Sequence, residues 1–214
     1  MSLDENYLYL SNALKNAIIL PVLVIENVED AVPLAESLLE GGCSSVEVTL
    51  RTEAALPAME SIAKALPELS LGAGTLLEPE QFLQVKNAGA HYALSPGTTR
   101  TLAQAAIDSQ VAYVPAAATP SEVLELRELG FKIQKLFPAG ASGGIEMLKS
   151  LASPIADVRF CPTGGVSTSN VNDYLKQPNV ICVGGSWLAP KNLVAEKNWS
   201  AISKIVRESL SDVS

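Results

Sequence analysis

Charged side chains interrupt two short β-rich runs of this sequence. In SVEVTLR, the polar residues Ser45, Glu47, Thr49 and Arg51 alternate with apolar ones, which predicts a strand with one polar face. A carboxylate and a guanidinium on a buried face are costly unless they are paired or used. The pattern therefore allows two interpretations: a structural Glu–Arg ion pair, or a proton-transferring carboxylate beside a group that binds an anion.

A lysine stands in the second run, KIQKLF. Lys135 has apolar neighbours and lies two residues before Phe137, on the same face. Apolar surroundings favour the neutral amine over the ammonium, and the neutral amine is the form that attacks a ketone to give an imine. The alternative is a lysine that extends to the rim of the fold or pairs structurally with Glu47. Lysine, glutamate and arginine directed at one end of one fold favour the catalytic interpretation.

Glycines at the ends of two further runs are typical of phosphate binding. The two sets are Thr163, Gly164 and Gly165, and Gly184, Gly185 and Ser186. Glycine lets backbone N–H groups approach phosphate oxygens closely, the start of a following helix adds a favourable dipole, and the serine hydroxyl can donate a hydrogen bond. The alternative is that these glycines only form tight strand-to-helix turns.

Composition excludes several classes of function. The chain has 214 residues, with 15 basic and 23 acidic side chains and a net charge of −8, so neither a nucleic-acid partner nor an anionic membrane surface is expected. We find no uncharged apolar run of 18 residues and expect no membrane span. The N-terminal segment MSLDENYLYL has early acids and no basic region, so we expect no signal peptide and a cytoplasmic protein.

The single histidine and three cysteines argue against metal and thiol catalysis. Cys43, Cys161 and Cys182 are widely spaced and form no C-x-x-C pair, which fits neither a disulfide scaffold nor a zinc site. A nucleophilic pair of Cys161 and His91 is conceivable, but buried structural thiols and a surface histidine are the favoured interpretation. No metal and no cofactor is expected.

The elements that must position these residues alternate regularly along the chain. Eight β-rich runs are predicted near 18–25, 45–51, 70–75, 92–96, 111–116, 132–137, 158–163 and 180–186. Amphipathic segments separate them. One has a capping box at Thr119 and Glu122 with Pro120 at the first helical position, and Leu3 to Asn16 predicts an additional N-terminal helix.

Eight strand–helix units predict an α/β fold, a closed parallel (β/α)8 TIM barrel with an extra N-terminal helix, built as one domain over residues 1–214. An open doubly wound sheet is the competitor, but the segment 72–77 (GAGTLL) lacks the third glycine of a dinucleotide fingerprint. In a barrel, the active site lies at the carboxyl ends of the strands and phosphate binds after strands seven and eight.

Several segments in the right order resemble the family of 2-keto-3-deoxy-6-phosphogluconate (KDPG) aldolases, some of which also cleave 4-hydroxy-2-oxoglutarate. The segments are 47–52 (EVTLRT), 72–75 (GAGT), 95–97 (SPG), 135–139 (KLFPA), 159–165 (RFCPTGG) and 184–187 (GGSW). The resemblance implies a metal-independent class I aldolase that splits a phosphorylated keto acid into pyruvate and glyceraldehyde 3-phosphate. It also implies a homotrimer.

The same resemblance implies a role for each matching residue. Lys135 matches the Schiff-base lysine and Glu47 the general acid/base. The expected substrate-binding residues are Arg51 and Thr75 at the pyruvate carboxylate, Phe137 and Pro96 in the pocket, and Thr163 at the C4 hydroxyl. The expected phosphate-binding residues are Gly164, Gly165, Gly184, Gly185 and Ser186.

Other functions remain open from the sequence. The first is a sister aldolase acting on the galactonate epimer or on the unphosphorylated substrate. The second is a phosphate-binding isomerase or synthase that uses a lysine acid and forms no covalent adduct with pyruvate. The third is a non-catalytic sugar-phosphate-binding protein, which would bind ligand without turnover.

Overall fold

Short strands and helices alternate along the chain. The structure is a computed structural model and describes residues 2–213. The strands are β1 (Ile19–Leu23), β2 (Ser45–Thr49), β3 (Ser70–Gly74), β4 (Tyr92–Leu94), β5 (Ala112–Val114), β6 (Ala116–Ala117), β7 (Ile133–Leu136), β8 (Arg159–Pro162) and β9 (Val183–Gly185). The helices are α1 (Leu3–Ala17), α2 (Ala31–Gly41), α3 (Ala55–Ala65), α4 (Gln81–Asn87), α5 (Arg100–Ser109), α6 (Pro120–Glu128), α7 (Gly144–Ala152), α8 (Val171–Leu175), α9 (Lys191–Ala195) and α10 (Trp199–Ser211).

The eight predicted strand regions are confirmed. The fifth is divided into β5 and β6 at Pro115, because proline has no N–H to donate to a ladder. The helix signals hold as well: the Thr119 hydroxyl accepts from the Glu122 N–H, the Glu122 carboxylate accepts from the Thr119 N–H, and α6 begins at Pro120.

All strand pairs are parallel, and they form two curled sheets. The larger sheet has the order β5-β4-β3-β2-β1-β9, and the smaller has the order β6-β7-β8. On one side, Pro115 links β5 to β6 and accepts from the Lys135 N–H at 2.8 Å. On the other side, isolated bridges join Phe160 to Val180 and Thr163 to Gly184. The α/β class with a parallel sheet is therefore confirmed.

The N-terminal helix packs beneath the sheets at the amino ends of the strands. It begins with a capping box between Ser2 and Glu5, and it buries Leu10 and Leu14. These leucines join a buried cluster with Leu20, Tyr92, Leu94, Ala112, Val114, Ile133, Cys161 and Cys182. The predicted extra helix is thus confirmed, and it covers the end of the sheets away from the predicted site.

The remaining helices cover the outer faces of the strands. One hydrophobic cluster runs from Ile19 to Val206 and includes strand residues such as Val46 and Val48, whose side chains alternate with the polar face of β2. Among residues 2–213, none of the helices is both long enough and apolar enough to cross a lipid bilayer.

Truncating Leu14 tests the packing of α1. Leu14 is fully buried and Leu8 on the same helix is 62% exposed. We expect Leu14→Ala to lower the free energy of unfolding by about 2–5 kcal/mol, because it removes buried methyl groups and leaves a cavity. The matched control Leu8→Ala is expected to change it by less than about 0.5 kcal/mol. Urea unfolding measures both, and equal effects would contradict this packing.

Candidate active site

A buried ion pair joins the two sheets. The Lys135 Nζ donates to Glu47 Oε1 at 3.0 Å and to Oε2 at 3.3 Å. Lys135 is 4% exposed and Glu47 is 1% exposed. The two residues are 88 positions apart in the chain, so the pairing depends on the tertiary fold. An amine and a carboxylate in contact inside an apolar shell can exchange protons with a reactant that enters between the strand ends.

Strand register places the two groups on inward faces. Glu47 lies opposite Gly72 of β3 and Val22 of β1, and Lys135 lies opposite Cys161 of β8 and Ala116 of β6. Because side chains alternate along a strand, the apolar neighbours of Glu47 face the helices while Glu47 itself faces the interior. The predicted inward direction of Glu47 and Lys135 is confirmed.

Phe137 lies beside the amine. Its ring centroid is 5.5 Å from the Lys135 Nζ, within the range of a cation–π interaction. Gly164 packs on the other side, because a Cβ at Gly164 would lie 3.4 Å from the Phe137 ring. The ring therefore forms one wall between the amine and the loop that follows β8.

Thr163 follows β8 on the same inward face as Cys161. Its hydroxyl donates to the Cys161 carbonyl at 3.4 Å, and the residue is 7% exposed. Gly184 of β9 is its neighbour across the bridge, and a Cβ at Gly184 would overlap the Thr163 side chain. The missing side chain at Gly184 makes room for Thr163.

Thr75 comes directly after β3 and has an unusual backbone. Its φ of +65° lies in the left-handed region, which is costly for a β-branched residue and is often found at functional sites. The side chain is half-buried. Pro96 follows β4, the strand next to β3, and is also half-buried. Both predicted residues therefore lie past the carboxyl ends of adjacent strands.

Hydroxyl groups beneath Pro96 were not predicted from the sequence. Ser95 Oγ lies 2.5 Å from the Tyr113 hydroxyl, and Thr98 Oγ1 accepts from the Ala116 N–H at 2.9 Å. Burial raises the pKa of the Tyr113 phenol to about 12, so the hydroxyl keeps its proton. Single residues on separate strands gave no signal for this network, which fixes the loop that carries Pro96.

The predicted phosphate-binding residues divide into two groups. Gly164 and Gly165 have φ values of +88° and +83°, which side chains rarely adopt, and their loop reaches the surface together with Ser186. Gly184 and Gly185 lie buried within β9. A Cβ at Gly185 would overlap the Trp187 ring, so both of these glycines have packing reasons of their own.

Arg51 lies beyond the end of β2 and is exposed. The ion pairs formed within residues 2–213 do not include it, so the alternative of a structural pair with Glu47 is wrong. The contact that Arg51 makes here is through its main chain, whose N–H donates to the Thr49 carbonyl at 2.8 Å. The guanidinium is thus free of a carboxylate within residues 2–213, and its binding of an anion stays a prediction.

The three cysteines and the histidine fit the favoured interpretation, which was buried structural thiols and a surface histidine. All three thiols are free and buried, and burial raises the pKa of Cys43 to about 12. His91 precedes β4, and its Nδ1 accepts from the Leu71 N–H at 3.0 Å. This is the amino end of the strands, away from Lys135, so His91 and Cys161 do not form a nucleophilic pair.

Comparison with known proteins agrees with this geometry. The family model for KDPG and KHG aldolase matches residues 10–205, which is most of the chain and includes both members of the ion pair. The chain belongs to this family. The resemblance seen in the sequence motifs is thereby confirmed.

Three relatives within the family illustrate the similarity. A KHG/KDPG aldolase of Escherichia coli is 44% identical over 90% of this chain and 90% of its own length. A 2-dehydro-3-deoxy-phosphogluconate aldolase of Pseudomonas aeruginosa is 41% identical over 98% of this chain and 95% of its own. A KDPG aldolase of Legionella pneumophila, captured with pyruvate as a covalent carbinolamine, is 43% identical, with a TM-score of 0.91 over 93% of this chain and 97% of that one.

A double-mutant cycle tests the buried pair. Glu47→Leu alone leaves the Lys135 charge buried without a partner, and we expect it to lower the free energy of unfolding by about 3–5 kcal/mol. Replacing both residues, with Lys135→Met added, is expected to restore most of the loss, because no unpaired charge remains. Urea unfolding of the unaltered protein, of Glu47→Leu, of Lys135→Met and of the double variant measures the cycle.

The control for this cycle is the exposed pair of Glu146 and Lys149, which are 80% and 55% exposed. Glu146→Ala is expected to have a much smaller effect than Glu47→Leu, because solvent screens an exposed pair. Additive losses in the Glu47→Leu/Lys135→Met variant would show that the two charges do not depend on each other.

Proposed function

We propose that this protein is a class I aldolase that cleaves 2-keto-3-deoxy-6-phosphogluconate to pyruvate and glyceraldehyde 3-phosphate. The observation that carries the proposal is the Lys135 amine, buried and within 3.0 Å of the Glu47 carboxylate. Family membership and the names of the relatives support the reaction. The covalent carbinolamine described for the Legionella pneumophila relative supports an amine nucleophile.

Imine formation is the first part of the mechanism. Glu47 takes a proton from the Lys135 ammonium, and the neutral amine attacks the C2 ketone. A proton then passes from the nitrogen to the former carbonyl oxygen, which gives a carbinolamine. Glu47 then supplies the proton with which the hydroxyl leaves as water, and a protonated imine remains. The carboxylate lies close enough to the amine to serve both transfers.

Cleavage follows because the protonated imine accepts electrons. The Glu47 carboxylate takes the proton of the C4 hydroxyl, the C3–C4 bond breaks, and its electron pair moves into the imine to form an enamine. The C4 fragment leaves as glyceraldehyde 3-phosphate. Protonation of the enamine at C3 regenerates an imine, and water releases pyruvate and the free amine. Since the imine itself accepts the electrons, the proposed reaction uses no metal or cofactor.

Substrate contacts follow from the positions past the strand ends. Arg51 and Thr75 bind the carboxylate of the pyruvate half, since a guanidinium matches a carboxylate in two hydrogen bonds. Phe137 and Pro96 line the pyruvate side, and Thr163 contacts the C4 hydroxyl. The phosphate lies against Gly164 and Gly165 after β8 and Ser186 after β9, with Gly184 and Gly185 at the end of β9 beneath it.

The strands close into one (β/α)8 barrel in this proposal, and residues 1–214 form one domain. The larger sheet keeps sequential order from β5 to β1 without the reversal of a doubly wound fold. On one side Pro115 alone separates β5 from β6, and on the other side Thr163, which follows β8, forms a bridge with Gly184 of β9. The large hydrophobic cluster draws on the whole length of the chain and supports a single domain.

The partners in this proposal are a phosphorylated keto acid and pyruvate, with neither nucleic acid nor membrane as a partner. The net charge of −8 supports the exclusion of nucleic acid. A homotrimer and a cytoplasmic location complete the proposal, and they rest on the resemblance to the family.

A second substrate is 4-hydroxy-2-oxoglutarate, which would give pyruvate and glyoxylate through the same imine. The observation that favours it is the name of the Escherichia coli relative, which includes both activities. The galactonate epimer of KDPG is the closest competitor, because it differs only in the configuration at C4. Thr163, at the position expected to contact the C4 hydroxyl, favours the gluconate type.

Reductive trapping tests the nucleophile. Incubation with pyruvate and borohydride should attach the pyruvate skeleton to Lys135, because borohydride reduces an imine to a stable amine. Lys135→Ala should give no adduct and no measurable cleavage. Peptide mass analysis locates the modification.

The control for trapping is Lys132→Ala, which removes an exposed lysine just before β7. This variant should be modified at Lys135 to the same extent as the unaltered protein. An adduct on Lys132, or none on any lysine, would sink the imine mechanism.

Comparison of the two C4 epimers tests the substrate. We expect faster turnover of KDPG than of its galactonate epimer, measured as pyruvate release. Thr163→Ala should reduce that preference by about fivefold, the worth of one hydrogen bond of about 1 kcal/mol. Thr168→Ala, in an exposed part of the same loop, is the control and should leave the preference unchanged. Equal or reversed turnover of the epimers by the unaltered protein would contradict the proposed substrate.

A further inference from the structure

Gly74, the last residue of β3, lies against the catalytic carboxylate. A Cβ built on it would overlap three atoms of the Glu47 side chain: Oε1, Cδ and Cγ. Register explains the proximity, because Gly72 lies directly opposite Glu47 and Gly74 lies one inward position closer to the site. The inward face of β3 is therefore empty where the carboxylate of β2 crosses it.

Backbone conformation does not explain this glycine. The glycines with left-handed φ values include Gly164 and Gly165, and Gly74 is not among them. Any residue can adopt its extended conformation, so the requirement for glycine comes from the space that a side chain would fill. Even the single methyl carbon of an alanine would occupy that space.

Glu47 has little freedom to avoid such a methyl group. It is 1% exposed, and both of its oxygens accept hydrogen bonds from Lys135, at 3.0 and 3.3 Å. The overlap reaches back to Cγ, so a rotation of the terminal carboxylate alone would not relieve it. A side chain at position 74 would have to move the carboxylate away from its place beside the amine.

We propose that Gly74 is a positioning residue for Glu47. Its missing side chain provides the space in which the carboxylate is held against the Lys135 amine. Gly74 touches no reacting atom and acts only through Glu47. The inference rests on the proposed function, in which Glu47 transfers protons at the imine and the enamine.

The expected consequence is a selective loss of proton transfer. A misplacement of a catalytic group by about 1 Å can slow a reaction by about 100-fold. Proton removal from the methyl group of the pyruvate imine depends directly on the carboxylate. The Lys135 amine is not in the overlap, so an imine can still accumulate when the protein is given time.

Gly74→Ala with two readouts tests the proposal. Exchange of the pyruvate methyl protons in D2O, followed by proton NMR, should slow by about 100-fold. Borohydride trapping after prolonged incubation should still modify Lys135. The control is Gly97→Ala, where an added Cβ meets nothing within 4 Å; this variant should keep both the exchange rate and the adduct.

Removing Glu47 tests whether the effect of the added methyl group passes through the carboxylate. In a Glu47→Ala background the methyl at position 74 meets no carboxylate, so Gly74→Ala should then change neither the urea midpoint nor the residual exchange rate. If Gly74→Ala alone fails to fold, recovery of folding when it is combined with Glu47→Ala and Lys135→Met, which together leave no unpaired buried charge, supports the contact with Glu47. The same loss of stability in both backgrounds would overturn the proposal.

The remaining outcomes separate this inference from the proposed function. Exchange in Gly74→Ala within about threefold of the Gly97→Ala rate overturns the positioning role. Loss of the adduct together with the exchange also overturns it, because the amine would then be displaced as well. If the unaltered protein neither exchanges the methyl protons nor forms an adduct, the proposed function fails instead.

Discussion

Two buried charges in contact constrain the rest of the structure. An amine and a carboxylate can lie in an apolar interior only if they meet, because an isolated buried charge is far more costly than a paired one. Glu47 and Lys135 come from strands in different sheets, 88 residues apart, and their contact requires these sheets to face each other. The same contact that satisfies both charges places the proposed base beside the proposed nucleophile, so the requirement of folding and that of the proposed chemistry coincide.

The two ends of the strands differ in what they contain. At the amino ends, α1 covers an apolar cluster, and the polar contacts there include hydroxyl bonds such as that of Tyr92 with Ser45 at 2.6 Å. At the carboxyl ends, the residues lie in loops with left-handed backbone, as at Thr75, or with exposed polar groups, as at Ser186. Apolar packing thus stabilises one end, and the other end is left to bind a ligand.

Sequence patterns predicted the elements and the inward faces well, because alternation and capping are local properties. Strand positions, the cap at Thr119 and the inward direction of Glu47 depend only on neighbouring residues. The hydroxyl contact of Ser95 with Tyr113 joins residues of separate strands, and it was not predicted. The division of the fifth strand at Pro115 was not predicted either, although its cause is local. The roles of the glycines were the least predictable, because the sequence does not distinguish a glycine needed for its φ value from one needed for the space that it leaves.

Separation of the reacting pair from the loops has a consequence for new chemistry. Lys135 and Glu47 are fixed within strands, whereas the residues expected to contact the aldehyde half of a substrate, such as Thr163 and Ser186, follow the strand ends. Loop residues can be exchanged without moving the amine or the carboxylate. The protein is therefore a suitable scaffold for joining pyruvate to unnatural acceptor aldehydes, with selectivity adjusted in the loops and the nucleophile retained.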